Sequence, residues 1–220
     1  MTTTAPTLGL ADTLKTQTQN AHTAAERHEF QGRVMRGMLG TAGYAAQMGQ
    51  YYLAHMALTD ALSKASADPR IASLVRPYHV YPQLFEADLR HFGVDPASVR
   101  PLPATQRIIA EINAADPLAL LGFTYVAEGS TNGGKYIGQA LRRALNAPGG
   151  EGLSSLDPHG DAQRERWHGF RSSLDQLTMD DAGRRRLIAA ADRYFAYVIE
   201  LFDELSQAFP ANPANLPLTR

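Results

Sequence analysis

The chain has 220 residues, enough for one large domain or two small ones, and 44% hydrophobic against 20% charged residues is the balance of a water-soluble globular protein. A net charge of -1 gives no electrostatic basis for binding nucleic acid or an anionic membrane. The absence of cysteine excludes disulfides, thiolate metal sites and cysteine nucleophiles. The N-terminal MTTTAPTLGL lacks the basic region and apolar core of a secretory signal, and no run of about 18 apolar residues occurs, so a cytoplasmic protein without a membrane span is expected.

Residues 1–9 are Thr- and Pro-rich and are expected to be flexible. A first helix is predicted from about Leu10 to Arg27, with Leu10, Leu14, Ala21 and Ala25 as its apolar stripe. EFQGRVMRGML (29–39) reads as a short second helix closed by Gly40, and Thr41 as the cap of a long third helix reaching about Ala65. SADPR (66–70) reads as a turn. Prolines break the region 70–103, leaving a helix from about Pro82 to Phe92 with Gly93 after its end. Pro103–Ala114 follows, with Ile108, Ile109 and Ile112 apolar. Asp116-Pro117 is a cap followed by proline at the first helical position, and opens a helix ending near Leu145. NAPGGEGLSSLDPHG (146–160) is a loop, then two helices are predicted over about 161–177 and 180–208. The Pro/Asn-rich stretch 209–220 reads as a flexible tail. No alternating pattern requires a strand, so the expected fold is all-α, with one helical domain over 10–208.

The segment LLGFTYVAEGSTNGGKYIGQAL (120–141) is unusual for a helix because it holds Gly129, Gly133, Gly134 and Gly138. Each glycine costs roughly 0.8–1 kcal/mol relative to alanine. At about 100° per residue, the four glycines, Ser130 and Ile137 fall within one half of the helix surface. Two readings follow: close packing against a neighbouring element, or a flat ligand lying against bare backbone. The pair Gly133-Gly134 also permits a kink.

On the first helix, Lys15, Gln19, His22 and Glu26 share one side. Small neighbours leave the His22 imidazole clear. Either it is an exposed histidine paired with glutamate one turn on, or it is a metal ligand oriented by Glu26 with Lys15 meeting an anionic group. Among the other histidines, His55 reads as core or half-buried, His79 lies in a Pro/Tyr loop, and His28, His91, His159 and His168 read as surface residues. Repeated Glu-x-x-His pairs, the pattern of carboxylate di-iron centres, are absent. Arg171, after Trp167 and Phe170, either rests on apolar surface or binds a carboxylate. Arg184-Arg185-Arg186 reads as a solvated face.

Three segments, in this order, resemble the heme oxygenase family. His22-Thr-Ala-Ala-Glu26 with Glu29-Phe30 and upstream Lys15 is similar to its proximal helix. Tyr125 to Gly134, YVAEGSTNGG, is similar to the distal helix of bacterial members. Phe170-Arg171-Ser-Ser-Leu with the stretch ending IELFDEL at Leu205 is similar to its C-terminal helices. The resemblance covers about 10–208 and implies a helical bundle holding heme b, both substrate and cofactor, between proximal and distal helices. It implies His22 as axial iron ligand, Glu26 as its orienting partner, Lys15 and Arg171 at the propionates, and Phe195 lining the pocket. It also implies Gly129, Gly133 and Gly134 over the heme face, with Ser130 and Asn132 beside them for the distal chemistry. The implied reaction uses dioxygen and an external electron donor (ferredoxin, flavodoxin or flavin reductase) to open heme to biliverdin, carbon monoxide and iron. Ser130 stands where many members have aspartate, and Gln19 where a basic residue is frequent. A non-catalytic heme-binding or storage protein on the same fold is the alternative; a thiaminase-like enzyme lacks its cysteine, and a helical interaction module leaves the glycine face without a purpose.

Overall fold

Helix starts in this chain are set by proline and aspartate. In a computed structural model, which describes residues 9–210, Pro69, Pro82, Pro103 and Pro117 each open a helix at its first turn, where an amide donor would have no helical partner. The carboxylates of Asp68, Asp116 and Asp180 cap three N-termini by accepting from the amides of Arg70, Ala119 and Gly183. The described residues form α1 (Leu10–Glu26), α2 (Glu29–Met35), α3 (Gly40–Lys64), α4 (Pro69–Leu74), α5 (Pro82–His91), α6 (Pro103–Asn113), α7 (Pro117–Ala144), α8 (Gln163–Asp175) and α9 (Asp181–Ala208), with short 3-10 turns between and no strand among them.

Two local expectations are corrected. Asp68-Pro69 begins a helix, α4, where a turn was expected, because the capping carboxylate and the proline act together. The second helix stops at Met35, and Gly40 does not close it: Gly40 begins α3 at φ +59, and Thr41 is not the cap. Gly37, at φ +69, makes the turn between them. A Cβ there would lie 2.7 Å from that of Ala144, so the turn packs where only glycine fits. The sequence expectations for 1–8 and 211–220 lie outside the described residues. Gly9 stands at the N-cap of α1, and Ala11 donates its amide to Asp175 at 2.8 Å. The chain stays packed to Phe209, whose carbonyl accepts from Arg33 at 2.7 Å.

The two longest helices, α7 and α9, pack on each other, and α1 lies on α9 as well. The α7–α9 crossing is close because Gly122 has no side chain; a Cβ there would meet the carbonyl of Leu187 and the methyl of Ala190. α3, with α5 and α6 against it, completes the core around Tyr44, Leu121, Leu141, Tyr197 and Leu201, all fully buried. α8 packs across α1 and α7. α9 is therefore the common floor of α1 and α7. His22 of α1 stands edge-on to Phe195 (ring centroids 5.6 Å apart), while Phe123 of α7 meets the adjacent Tyr194 at 6.1 Å.

Candidate functional site

His22 lies on the exposed side of α1, its side chain 46% accessible. Nδ1 is 3.4 Å from Glu26 Oε2, one turn along the same helix. A glutamate that closed on Nδ1 would favour the tautomer that leaves the Nε2 lone pair outward, the arrangement of a neutral imidazole ligand. Lys15 is exposed further back on α1, and Gln19 donates to Thr23 at 3.2 Å. Among the described residues no group of three His, Asp or Glu is set to hold a metal ion. His22 is thus a lone donor, suited to a metal whose other ligands come with it.

The glycines of α7 divide between two uses. Nothing lies within 4 Å of a Cβ added at Gly133, and Gly133 and Ser130 are exposed. The atoms nearest an added Cβ at Gly129 belong to the indole of Trp167, with Cη2 at 3.4 Å. Gly134 and Gly138 lie on the other edge and meet the loop of residues 145–162. A Cβ at Gly134 would collide with the carbonyl of Leu156, and one at Gly138 would touch the Leu156 side chain at 4.0 Å. The loop is held there by Asp88 of α5, which accepts from both Ser154 N–H and Oγ and from the Ser155 N–H (2.7–2.9 Å). The half-surface of bare backbone expected from the sequence is thus narrower: Gly134 serves packing, while the remaining edge is open at Gly133 and lies under Trp167 at Gly129. α7 is helical through Gly133-Gly134.

The side chains between the glycines fold back on their own helix. Ser130 Oγ donates to the Ala127 carbonyl (2.7 Å), Thr131 Oγ1 to Glu128 (2.6 Å) and Asn132 Nδ2 to Gly129 (3.0 Å). Each hydroxyl donor is already engaged, so what Ser130 offers a ligand or water is lone pairs.

α8 supplies the remaining groups. Trp167 is stacked on Phe170 at 6.0 Å and tilted against Tyr125 at 5.4 Å, and Arg171 pairs with Asp12 of α1 at 2.6 Å. A hollow of about 570 Å³ opens along α8 over Trp167 and Arg171; His22 and the glycines do not line it. The single Glu-x-x-His of the chain, Glu165 to His168, lies exposed on this helix.

One buried cluster was not foreseen. His159, expected at the surface, is 6% exposed and shares a 2.9 Å hydrogen bond with Glu128, itself 4% exposed and one residue before Gly129. Arg166 of α8 donates to His159 Nδ1 at 3.0 Å, which places the imidazole proton on Nε2, toward Glu128. His79 is buried in the turn Pro77–His79. Its Nδ1 accepts the Arg76 amide at 3.0 Å, and its Nε2 lies 3.9 Å from Glu128 without a hydrogen-bond partner among the described residues. Burial raises the Glu128 pKa, with the His159 hydrogen bond opposing. Burial, and after it the electrostatic influence of His159, Arg76 and Arg166, lowers that of His79 to about 3. A histidine among Pro, Gly and Asp residues carries no local mark of burial. The only sequence signal was a glutamate in the apolar run YVAEG.

A model of the heme oxygenase family matches residues 8–204. The chain belongs to the heme oxygenase family. Human heme oxygenase 1 is 28% identical over 207 residues, covering 90% of this chain and 72% of that protein. Heme oxygenase 1 of Nostoc sp. (strain PCC 7120 / SAG 25.82 / UTEX 2576) is 25% identical over 203 residues, covering 89% and 85%. Among solved structures, heme oxygenase from Leptospira interrogans superposes with a TM-score of 0.82 at 26% identity, covering 90% of this chain and 100% of that one. Heme oxygenase-2 from Synechocystis sp. PCC 6803, solved with heme and NO, has the same fold at a TM-score of 0.85 and 23% identity, covering 93% and 88%. The family is one of heme-degrading oxidoreductases, so the all-α fold, the enzyme class and heme as ligand follow from membership. No helix among the described residues is long and apolar enough to cross a membrane.

Proposed function

We propose that this chain opens heme b to biliverdin, carbon monoxide and iron, with His22 as the axial iron ligand. The observation that supports the residue assignment is that α1 and α7 both rest on α9. His22, oriented by Glu26, stands against Phe195 on α9. α7 rests on the same helix, and its edge is bare backbone at Gly133 and at Gly129, the latter under the Trp167 indole. A planar iron porphyrin fits this chemistry: one protein nitrogen for the metal, and backbone for the opposite face.

When bound, heme supplies both the ring that is opened and the iron at which dioxygen reacts. The chain's residues bind and orient it. Glu26 keeps the His22 proton on Nδ1 and the ring fixed. Lys15 and Arg171 would meet the propionates, Arg171 by exchanging or sharing Asp12. Phe195 limits the tilt of the imidazole. Ser130, its hydroxyl proton on the Ala127 carbonyl, would order water beside the open backbone through its lone pairs, while Asn132, which donates to Gly129 and accepts from Gln163 Nε2 at 3.3 Å, would hold α8 beside that water. Electrons come from a soluble donor, a ferredoxin, flavodoxin or flavin reductase, and we place the reaction in the cytoplasm with such donors.

The test is an optical titration of the purified protein with hemin, followed by a reductant in air. A saturable 1:1 Soret band that decays into a biliverdin spectrum is the expected result. A saturable band that persists with competent donors would replace turnover by heme binding or storage. Absence of a saturable band would overturn the site.

A further inference from the structure

We propose that Glu128 and His159 form a buried latch that holds α8 against the open edge of α7, making them positioning residues for the ligand face at Gly129. This rests on the heme reading above and names what sets the height of that face. Four separate stretches of chain meet at the Glu128 carboxylate. Glu128 comes from α7, His159 from the loop after it, His79 from the turn Pro77–His79, and Arg166 from α8 through His159. Arg166 also lies over the ring of Tyr78, its guanidinium carbon 4.4 Å from the centroid, so α8 is tied to that turn as well.

Geometry links the latch to the ligand edge. Glu128 immediately precedes Gly129, and Arg166 immediately precedes Trp167. The latch thus joins α7 and α8 one residue from the point where Trp167 covers Gly129. A carboxylate is a costly group to bury, and an apolar residue would fill the same position at lower desolvation. What the carboxylate adds is direction. It accepts the His159 Nε2–H at 2.9 Å and draws the His79 Nε2 to 3.9 Å, so the loop and α8 have one registry on α7. The other polar ties of α8, Gln163 to Asn132 of α7 at 3.3 Å and Arg171 to Asp12 of α1 at 2.6 Å, lie nearer the surface, so the buried latch is what fixes the height of α8 at Trp167.

Trp167 is the only tryptophan in the chain, so it reports this seam in hemin-free protein. The experiment measures Trp167 emission and acrylamide quenching in the full chain for wild type, Glu128→Gln, Glu128→Leu, His159→Leu and Arg166→Met. Circular dichroism verifies the fold. Glu128→Leu and His159→Leu are expected to raise the quenching constant at least twofold with a red-shifted emission. Glu128→Gln stays near wild type because its amide oxygen still accepts from His159. Arg166→Met, on the partly exposed side of the cluster, gives an intermediate increase and serves if either leucine variant does not fold. With hemin bound, the variants that loosen Trp167 also change the ratio of ring-opened isomers, and Glu128→Gln restores it. Unchanged quenching in the folded leucine variants, or in Arg166→Met, overturns the latch. Failure of wild type to bind hemin would sink the heme reading while leaving the hemin-free fluorescence result to stand. An altered seam with an unchanged isomer ratio overturns the positioning role.

Discussion

Gly133 and Gly134 are neighbours in sequence with opposite surroundings, and alanine at each separates a ligand face from a packing face. At Gly133 an added Cβ meets nothing within 4 Å, so alanine gains only helix propensity. That gain is about 0.8–1 kcal/mol. For a domain of this size it corresponds to a rise in Tm of about 2–4 °C. The hemin-free Gly133→Ala protein is therefore expected to be more stable than wild type. A methyl on the open edge should nevertheless hold a planar ligand off the backbone. A tenfold loss of hemin affinity would correspond to about 1.4 kcal/mol. At Gly134 the added Cβ collides with the Leu156 carbonyl. That loop cannot easily yield, since Asp88 holds Ser154 and Ser155. Overpacking costs about 1–3 kcal/mol, which offsets or exceeds the propensity gain. Gly134→Ala should therefore melt at or below wild type. Thermal melts of hemin-free protein and hemin titrations of both variants provide the check. A stabilised Gly133→Ala with unchanged hemin affinity and product pattern would refute the ligand face at Gly133. A clear rise in Tm for Gly134→Ala would refute the packing account of Gly134.

His22→Ala should lose the axial ligand, seen as a changed Soret band and loss of most turnover, with added imidazole restoring the band; normal turnover would remove His22 from the site. Glu26→Ala should weaken iron ligation about 10-fold, the low end for a residue that orients a ligand, because the pair is exposed. Asp12→Asn frees Arg171 from its 2.6 Å ion pair and should raise hemin affinity by less than about fivefold, the scale of an exposed ion pair, whereas Arg171→Met should lower it; the opposite signs would deny Arg171 a propionate role. His55 and His79 are held neutral by burial, with pKa values lowered from 6.5 to about 4 and about 3. The unfolded chain therefore takes up protons first, and stability present above pH 6.5 is lost as the pH falls toward 4 for His55 and 3 for His79. The His55 contribution is on the order of 3 kcal/mol, and the raised pKa of Glu128 acts in the opposite direction. Denaturant midpoints that stay flat over this range would contradict the burial of both imidazoles. His55→Gln should flatten part of the slope, since its amide can still accept from the Tyr81 N–H that His55 Nε2 faces at 3.3 Å.

What could be read from the sequence is what depends on near neighbours along the chain. Asp116-Pro117 announced the start of α7, and Gly93, at φ +73, the end of α5, because a cap and a left-handed turn are properties of three or four residues. His22 and Glu26 are one helical turn apart, so their pairing follows from α1 alone. Even the one-sidedness of the α7 glycines is a local fact of helical geometry. Their division into uses is not. Gly134 is committed to packing only because Leu156 returns to it, and Leu156 is there only because Asp88 of α5 binds Ser154 and Ser155. Gly40 misled for the same reason: the helix that it was expected to close ends at Met35, and the left-handed residue after it is Gly37, whose partner Ala144 lies at the far end of α7. His159 is the extreme case. Its Pro, Gly and Asp neighbours mark an exposed loop, and it is buried because Glu128 and Arg166 approach from two other elements. A polar residue buried by distant partners leaves no periodicity to detect. The sign that remains is the one at Glu128, a carboxylate inside an apolar helical run, which needs a partner before the helix can be buried there. Such a residue beside a glycine edge marks where long-range contacts adjust a site that the local sequence only outlines.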